Sequence, residues 1–184
     1  SCLPAYMLSV LWLKLPVWVY ALAVLSAFLQ IGAWIKFSKV IIPAFLKSYS
    51  LIPFFKWIYI CIVASIGLKL LLQLGSTVPS IGKLAFGFRP IVIAYLHLVL
   101  LAITSLYLLI YLFTNQLVSS NSILKKALAL FTVGIFLNEL VLVIQGIAGF
   151  SYTMIPYINV ILLGVAFILF LGMLSMTLIN IKKS

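Results

Sequence analysis

The chain has 184 residues, of which 66% are hydrophobic and 7% charged, and its mean hydropathy is +1.37. A water-soluble domain needs a largely polar exterior and cannot cover that much apolar surface, so the composition excludes a soluble enzyme and predicts an all-α, polytopic transmembrane helix bundle. The net charge of +11 does not point to nucleic acid, because the twelve basic residues are scattered and sit mainly at the ends of apolar runs, where they anchor spans and set topology.

In chain order, residues 3–13 form an apolar piece too short to cross a bilayer, a partial span. The first full span is expected over 15–35, opened by Pro16, with Trp12, Trp18 and Tyr20 marking one interface and Trp34 the other. Lys36, Lys39 and Lys47 are expected in a loop closed by Pro53. The second span covers 54–74, with Lys56 near its start and Lys69 near its end. Residues 75–90, rich in Gly, Pro and Ser, read as a loop with room for one interfacial turn. The third span covers 91–113, about 23 residues and roughly 34 Å as a helix, enough to cross a bilayer. A polar connection, 114–122, leads to the fourth span, 124–147. A short turn begins at Gly149, and the fifth span opens at Pro156 or Tyr157 and ends near Asn180, before Lys182 and Lys183. Residues 1–184 thus read as a single transmembrane helical domain of five full spans and an N-terminal partial one, without a clear internal repeat. The chain begins Ser-Cys-Leu-Pro, with neither an initiator Met nor a signal-peptide n-region. It is expected to be the C-terminal part of a longer protein, packed against that protein's upstream helices.

Basic residues set the expected orientation. Lys36, Lys39, Lys47, Lys56, Lys125, Lys126, Lys182 and Lys183 fall on one side, and Lys14, Lys69, Lys83 and Arg89 on the other. The more basic side is expected to be cytoplasmic, with the C-terminus inside.

Polar residues within the spans carry the functional signal, since an ionisable group there is costly. His97, the sole histidine, is expected roughly 9 Å below the outer boundary, and Glu139, the sole acid, roughly 12 Å deep on the fourth span. Lys69 and Gln73 lie near the outer end of the second span, and Asn138 and Gln145 flank Glu139, so these groups form one polar layer in the outer half of the membrane. Each also has a plainer reading. Lys69 snorkels to the interface, and Arg89 is an interfacial anchor. Glu139 is either an un-ionised carboxyl or the partner of Lys69 or His97, and His97 either hydrogen-bonds a neighbouring helix or holds a cofactor. Gly164 and Gly172 are expected at close helix contacts, and Cys2 and Cys61 as packed thiols.

No Walker loop, GxGxxG, HExxH or CxxC occurs. One His and one Glu are too few for a closed zinc site, and no serine or histidine has the orienting partner a hydrolase needs. No catalytic residue is assigned. What one membrane histidine supplies alone is one of the two axial ligands of a haem.

Ala94-Tyr95-Leu96-His97-Leu98-Val99-Leu100 resembles the tenth helix of the catalytic subunit I of haem–copper oxidases, which carries the pattern A-H-F-H-x-V-L. Gly134-Ile135-Phe136-Leu137-Asn138 and Gln145-Gly146-Ile147-Ala148-Gly149 resemble the eleventh helix of that family, and residues 159–172 the twelfth. The chain is also similar to uncharacterised bacterial membrane proteins related to that superfamily. The resemblance implies the last part of a protein of about twelve helices in a bacterial cytoplasmic (inner) membrane, with His97 as a ligand of the low-spin haem iron. Tyr95 stands where the family places the ligand of its oxygen-reducing haem, and Gly149-Phe150-Ser151-Tyr152-Thr153 stands where it places an arginine pair that holds haem propionates. The resemblance therefore implies electron transfer or sensing without the oxygen chemistry, with Arg89 or Lys83 as propionate partners. Two alternatives remain: an ion or proton transporter component using Lys69, His97 and Glu139 as a relay, and a non-catalytic membrane subunit whose polar layer serves helix association alone.

Overall fold

A computed structural model describes residues 16–48, 53–78, 80–82, 87, 89–115, 122–151, 153 and 155–181. Its elements are α1 (Val17–Ser48), α2 (Pro53–Gly75), α3 (Arg89–His97), a π-helical segment (Leu98–Ser105), α4 (Leu106–Thr114), α5 (Ser122–Phe150) and α6 (Ile158–Ile181). α3, the π segment and α4 follow one another without a break, so the described residues contain five stretches long and apolar enough to span a membrane. The chain is an all-α integral membrane protein. The expected partial span, together with Cys2, Lys14, Lys83, Lys182 and Lys183, lies outside the described residues.

Contacts divide the chain into two compact units, Ser1–Val92 and Ile93–Ser184. In the first, the Pro16 carbonyl accepts the opening bonds of α1 from Val19 (3.0 Å) and Tyr20 (3.2 Å). The helix does not stop near residue 35 as expected. It continues through Lys36 and Lys39 to Ser48, with Pro43 inside it. The change from apolar to basic side chains marks where the hydrocarbon ends, whereas lysine is itself a good helix former, so the helix runs on beyond the apolar span. α2 starts at Pro53, the position where the missing N–H of proline costs nothing. Its last carbonyls are satisfied by the Ser76 and Thr77 hydroxyls, which donate to Gln73 O (2.7 Å) and Leu74 O (2.6 Å).

α1 and α2 pack antiparallel. Buried Ala23 and Ala27 receive Leu74, the Tyr20 hydroxyl donates to Thr77 O, and the Trp34 Nε1 lies 3.7 Å from where a Cβ on Gly67 would stand. Small residues at the crossing let the backbones approach, which is how helices associate where lipid is as apolar as the side chains. Cys61 is a half-buried free thiol on α2.

The second unit is built on α5. Its buried residues Leu124, Leu128, Phe131, Ile135, Asn138 and Leu142 alternate steps of four and three, the seam that packs helices at a shallow crossing angle. α6 answers with buried Val165, Gly172 and Met176. A Cβ on Gly172 would lie 3.0 Å from the Phe131 backbone N, Cα and Cβ, and one on Gly134 would lie 2.8 Å from Leu169 Cδ2. These contacts set α5 and α6 antiparallel, and one further turn of the same register places Asn138 level with Val165. Gly172 is the expected close contact. Gly164 is not: it is exposed, with nothing within 4 Å of its added Cβ, because it falls one position off the buried row of α6. The opposite face of α6 presents Val160, Leu163, Phe167 and Phe170, at 58–71% exposure. An apolar surface of that kind is accommodated by lipid.

Candidate functional site

The third span was expected to be one regular helix. Instead, Leu98–Ser105 is π-helical, and His97 is the residue on which it opens. A π segment inside an α-helix is rare and concentrates at functional positions, because the inserted residue rotates the side chains around it. The local sequence supports the wider turn: the Thr104 hydroxyl donates to Val99 O (2.9 Å) and the Ser105 hydroxyl to Leu100 O (2.8 Å), each reaching five residues back. Leu98 and Ala102 are buried, and the segment packs against α5. His97, one position before Leu98, stays partly accessible.

The His97 ring is held by one hydrogen bond. Its Nδ1 lies 2.8 Å from the Ile93 carbonyl, one turn back on α3. A carbonyl only accepts, so Nδ1 carries the proton and donates, and in the neutral ring Nε2 keeps a bare lone pair. Metal-binding histidines are oriented in this way, with the second ring nitrogen tied to a carbonyl or carboxylate.

Asn138 and Glu139 lie on α5. Asn138 occupies a seam position at 7% exposure, and its Nδ2 has no hydrogen-bond partner. Glu139, next to it, is half buried. Its Oε1 is sealed from solvent and accepts no hydrogen bond. Gln145, half buried, stands one heptad beyond Asn138 and so on the same face of α5. His97 stands seventeen residues before Thr114, and Glu139 seventeen residues after Ser122, across the same connection. At 1.5 Å per residue each is about 25 Å from that end, a little less for His97 because of the π segment.

Within the first unit, Lys69 Nζ donates to Gln73 Oε1 at 2.8 Å, one turn along α2. Arg89 is exposed at the first position of α3. The sequence reading missed Gln30, whose Oε1 is buried on α1 without a partner; a polar residue in the middle of an apolar run was the available signal. It also missed the π segment, for which the only cue was the adjacent Thr104 and Ser105. Among the described residues no three His, Cys, Asp or Glu side chains are arranged to hold a metal ion. Comparison with protein families, with curated proteins and with solved structures finds no match.

Proposed function

We propose that this chain is the C-terminal part of a haem–copper-oxidase-like protein of a bacterial inner membrane, in which His97 Nε2 is one axial ligand of a low-spin haem. The observation that carries this reading is the Nδ1 bond to Ile93 O, which fixes the ring and leaves Nε2 as the nitrogen with a free lone pair. The A-Y-L-H-L-V-L pattern supports it, and so does the position of His97 at the π-helical junction. A bound haem would supply one-electron redox chemistry suited to electron transfer or sensing. The residues of this chain would hold it: His97 by its imidazole, and Arg89 as a charge-assisted donor to a propionate. The second axial ligand would come from an upstream helix of the same protein. Tyr95, two residues before His97, brings no imidazole to a second haem, so oxygen reduction is left out of this reading.

The test is the reduced-minus-oxidised absorption spectrum of the purified full-length protein, produced with haem in excess. A sharp low-spin spectrum is expected, with His97→Ala abolishing it and Arg89→Gln retaining the bands but weakening haem retention. A full-length protein of native stability that shows no haem absorbance, or whose spectrum survives His97→Ala, overturns the proposal.

A further inference from the structure

We propose that Glu139 and Asn138 form a proton-exchange site inside the bilayer, at which the Glu139 carboxyl takes up and releases a proton through water held between the two side chains. The inference is independent of whether His97 holds a haem.

Glu139 is the only acid in the chain. In a bilayer, an acid kept for helix association alone is expected to be hydrogen-bonded, because each unsatisfied polar group in an apolar medium costs several kcal/mol, on the order of 2–7. Here Oε1 is sealed and unbonded, and the neighbouring Asn138 Nδ2 is sealed and unbonded too. One is an acceptor and the other a donor, on consecutive residues whose side chains diverge around the helix and do not face each other directly. Water is the species that accepts from one and donates to the other, and buried polar groups without protein partners are ordinarily served by it.

Few titratable groups surround the carboxyl among the described residues. α6 and the π segment, which pack against α5, contain none; α4 contributes Tyr107 and Tyr111, both exposed, and α3, continuous with the π segment, contributes Tyr95 and His97, both partly accessible. On α5 itself the basic residues, Lys125 and Lys126, lie in the first turn, more than a dozen residues away. Toward Phe150, Gln145 continues the face of Asn138, and Gly146 continues that of Glu139 without a side chain. That end is about 16 Å from Glu139 at 1.5 Å per residue. The step is a plain acid–base exchange: the carboxyl O–H breaks, the electron pair stays on oxygen, and the proton passes to water. Asn138 Nδ2 supplies the donor that the resulting carboxylate requires.

The neutral-carboxyl stretch of Glu139 is identified as the infrared band that wild type shows and Glu139→Gln lacks. The experiment is an infrared pH titration of the protein in lipid vesicles, with and without transfer to deuterated water. The carboxyl band is expected to vanish and return reversibly in a single one-proton transition as bulk pH is cycled. In wild type it should shift on deuteration, and in Glu139→Gln it should be missing. Asn138→Leu should move the midpoint by about threefold or more in proton affinity, the size of one lost hydrogen bond. A band that persists unshifted at every pH and does not deuterate marks a sealed structural acid and overturns the proposal. So does an absence of the band at every pH at which the protein stays folded. A midpoint unmoved by Asn138→Leu overturns the two-residue site. Where Glu139→Gln misfolds, the conservative Glu139→Asp assigns the band by the shift it causes.

Discussion

Asn138 occupies a place in the α5 seam where every other position, from Leu124 to Leu142, is apolar. Its buried Nδ2 has no partner, and a polar atom left unsatisfied in a low-dielectric interior is destabilising by about 1–3 kcal/mol. Asn138→Leu should therefore leave the unfolding free energy unchanged or raise it by about 1 kcal/mol, measured by denaturant-driven unfolding in mixed micelles. A loss of stability of similar size would show that the amide serves packing. Stability retained together with an altered Glu139 titration separates a functional amide from a structural one. His97 differs in kind. Its ring is anchored through Ile93 O, and what the anchoring leaves open is a single nitrogen lone pair.

At the scale of elements, two features determine where these residues stand. The π segment alters the register of the third span just after His97, and the Thr104 and Ser105 hydroxyls follow that wider register. The α5–α6 pair fixes the level of Asn138 and Glu139 through contacts too close to admit larger residues. Gly172 meets the Phe131 backbone, which cannot yield, whereas Gly134 meets the end of the Leu169 side chain, which can rotate away. Gly172→Ala is accordingly expected to destabilise the pair by about 1–3 kcal/mol, and Gly134→Ala by less, although both add one methyl group. Equal losses in a thermal or denaturant unfolding series would show that the backbone contact at Phe131 is not limiting.

For the whole molecule, the governing fact is the apolar surface left outside the helix contacts, exemplified by Leu163 and Phe167 on α6 and Leu140 and Val143 on α5. Water does not tolerate so extensive a surface, and a bilayer does. The orientation within that bilayer rests on the distribution of lysines. The side bearing Lys36, Lys39, Lys125 and Lys126 should face the cytoplasm. A reporter that is active only in the cytoplasm, fused after Ser184, should be active, and one that requires export should be silent. The opposite pattern would invert the topology and place the level of His97 and Glu139 nearer the inner surface.

Long apolar runs and tryptophans at their ends are local properties, so an all-α fold with five membrane-crossing helices followed from the residues alone. Four features were not legible in this way. The continuation of α1 to Ser48 depends on backbone hydrogen bonding, which does not follow the edge of the apolar run. Gly172, not Gly164, is the contact point, because the rotation of α6 about its own axis is set by its partner helix. The π-helical turn at His97 and the unbonded state of Asn138 Nδ2 and Glu139 Oε1 are likewise beyond a linear reading. Whether a polar group finds a partner depends on which side chains the packing brings within about 3 Å, and spacing along one helix does not decide that.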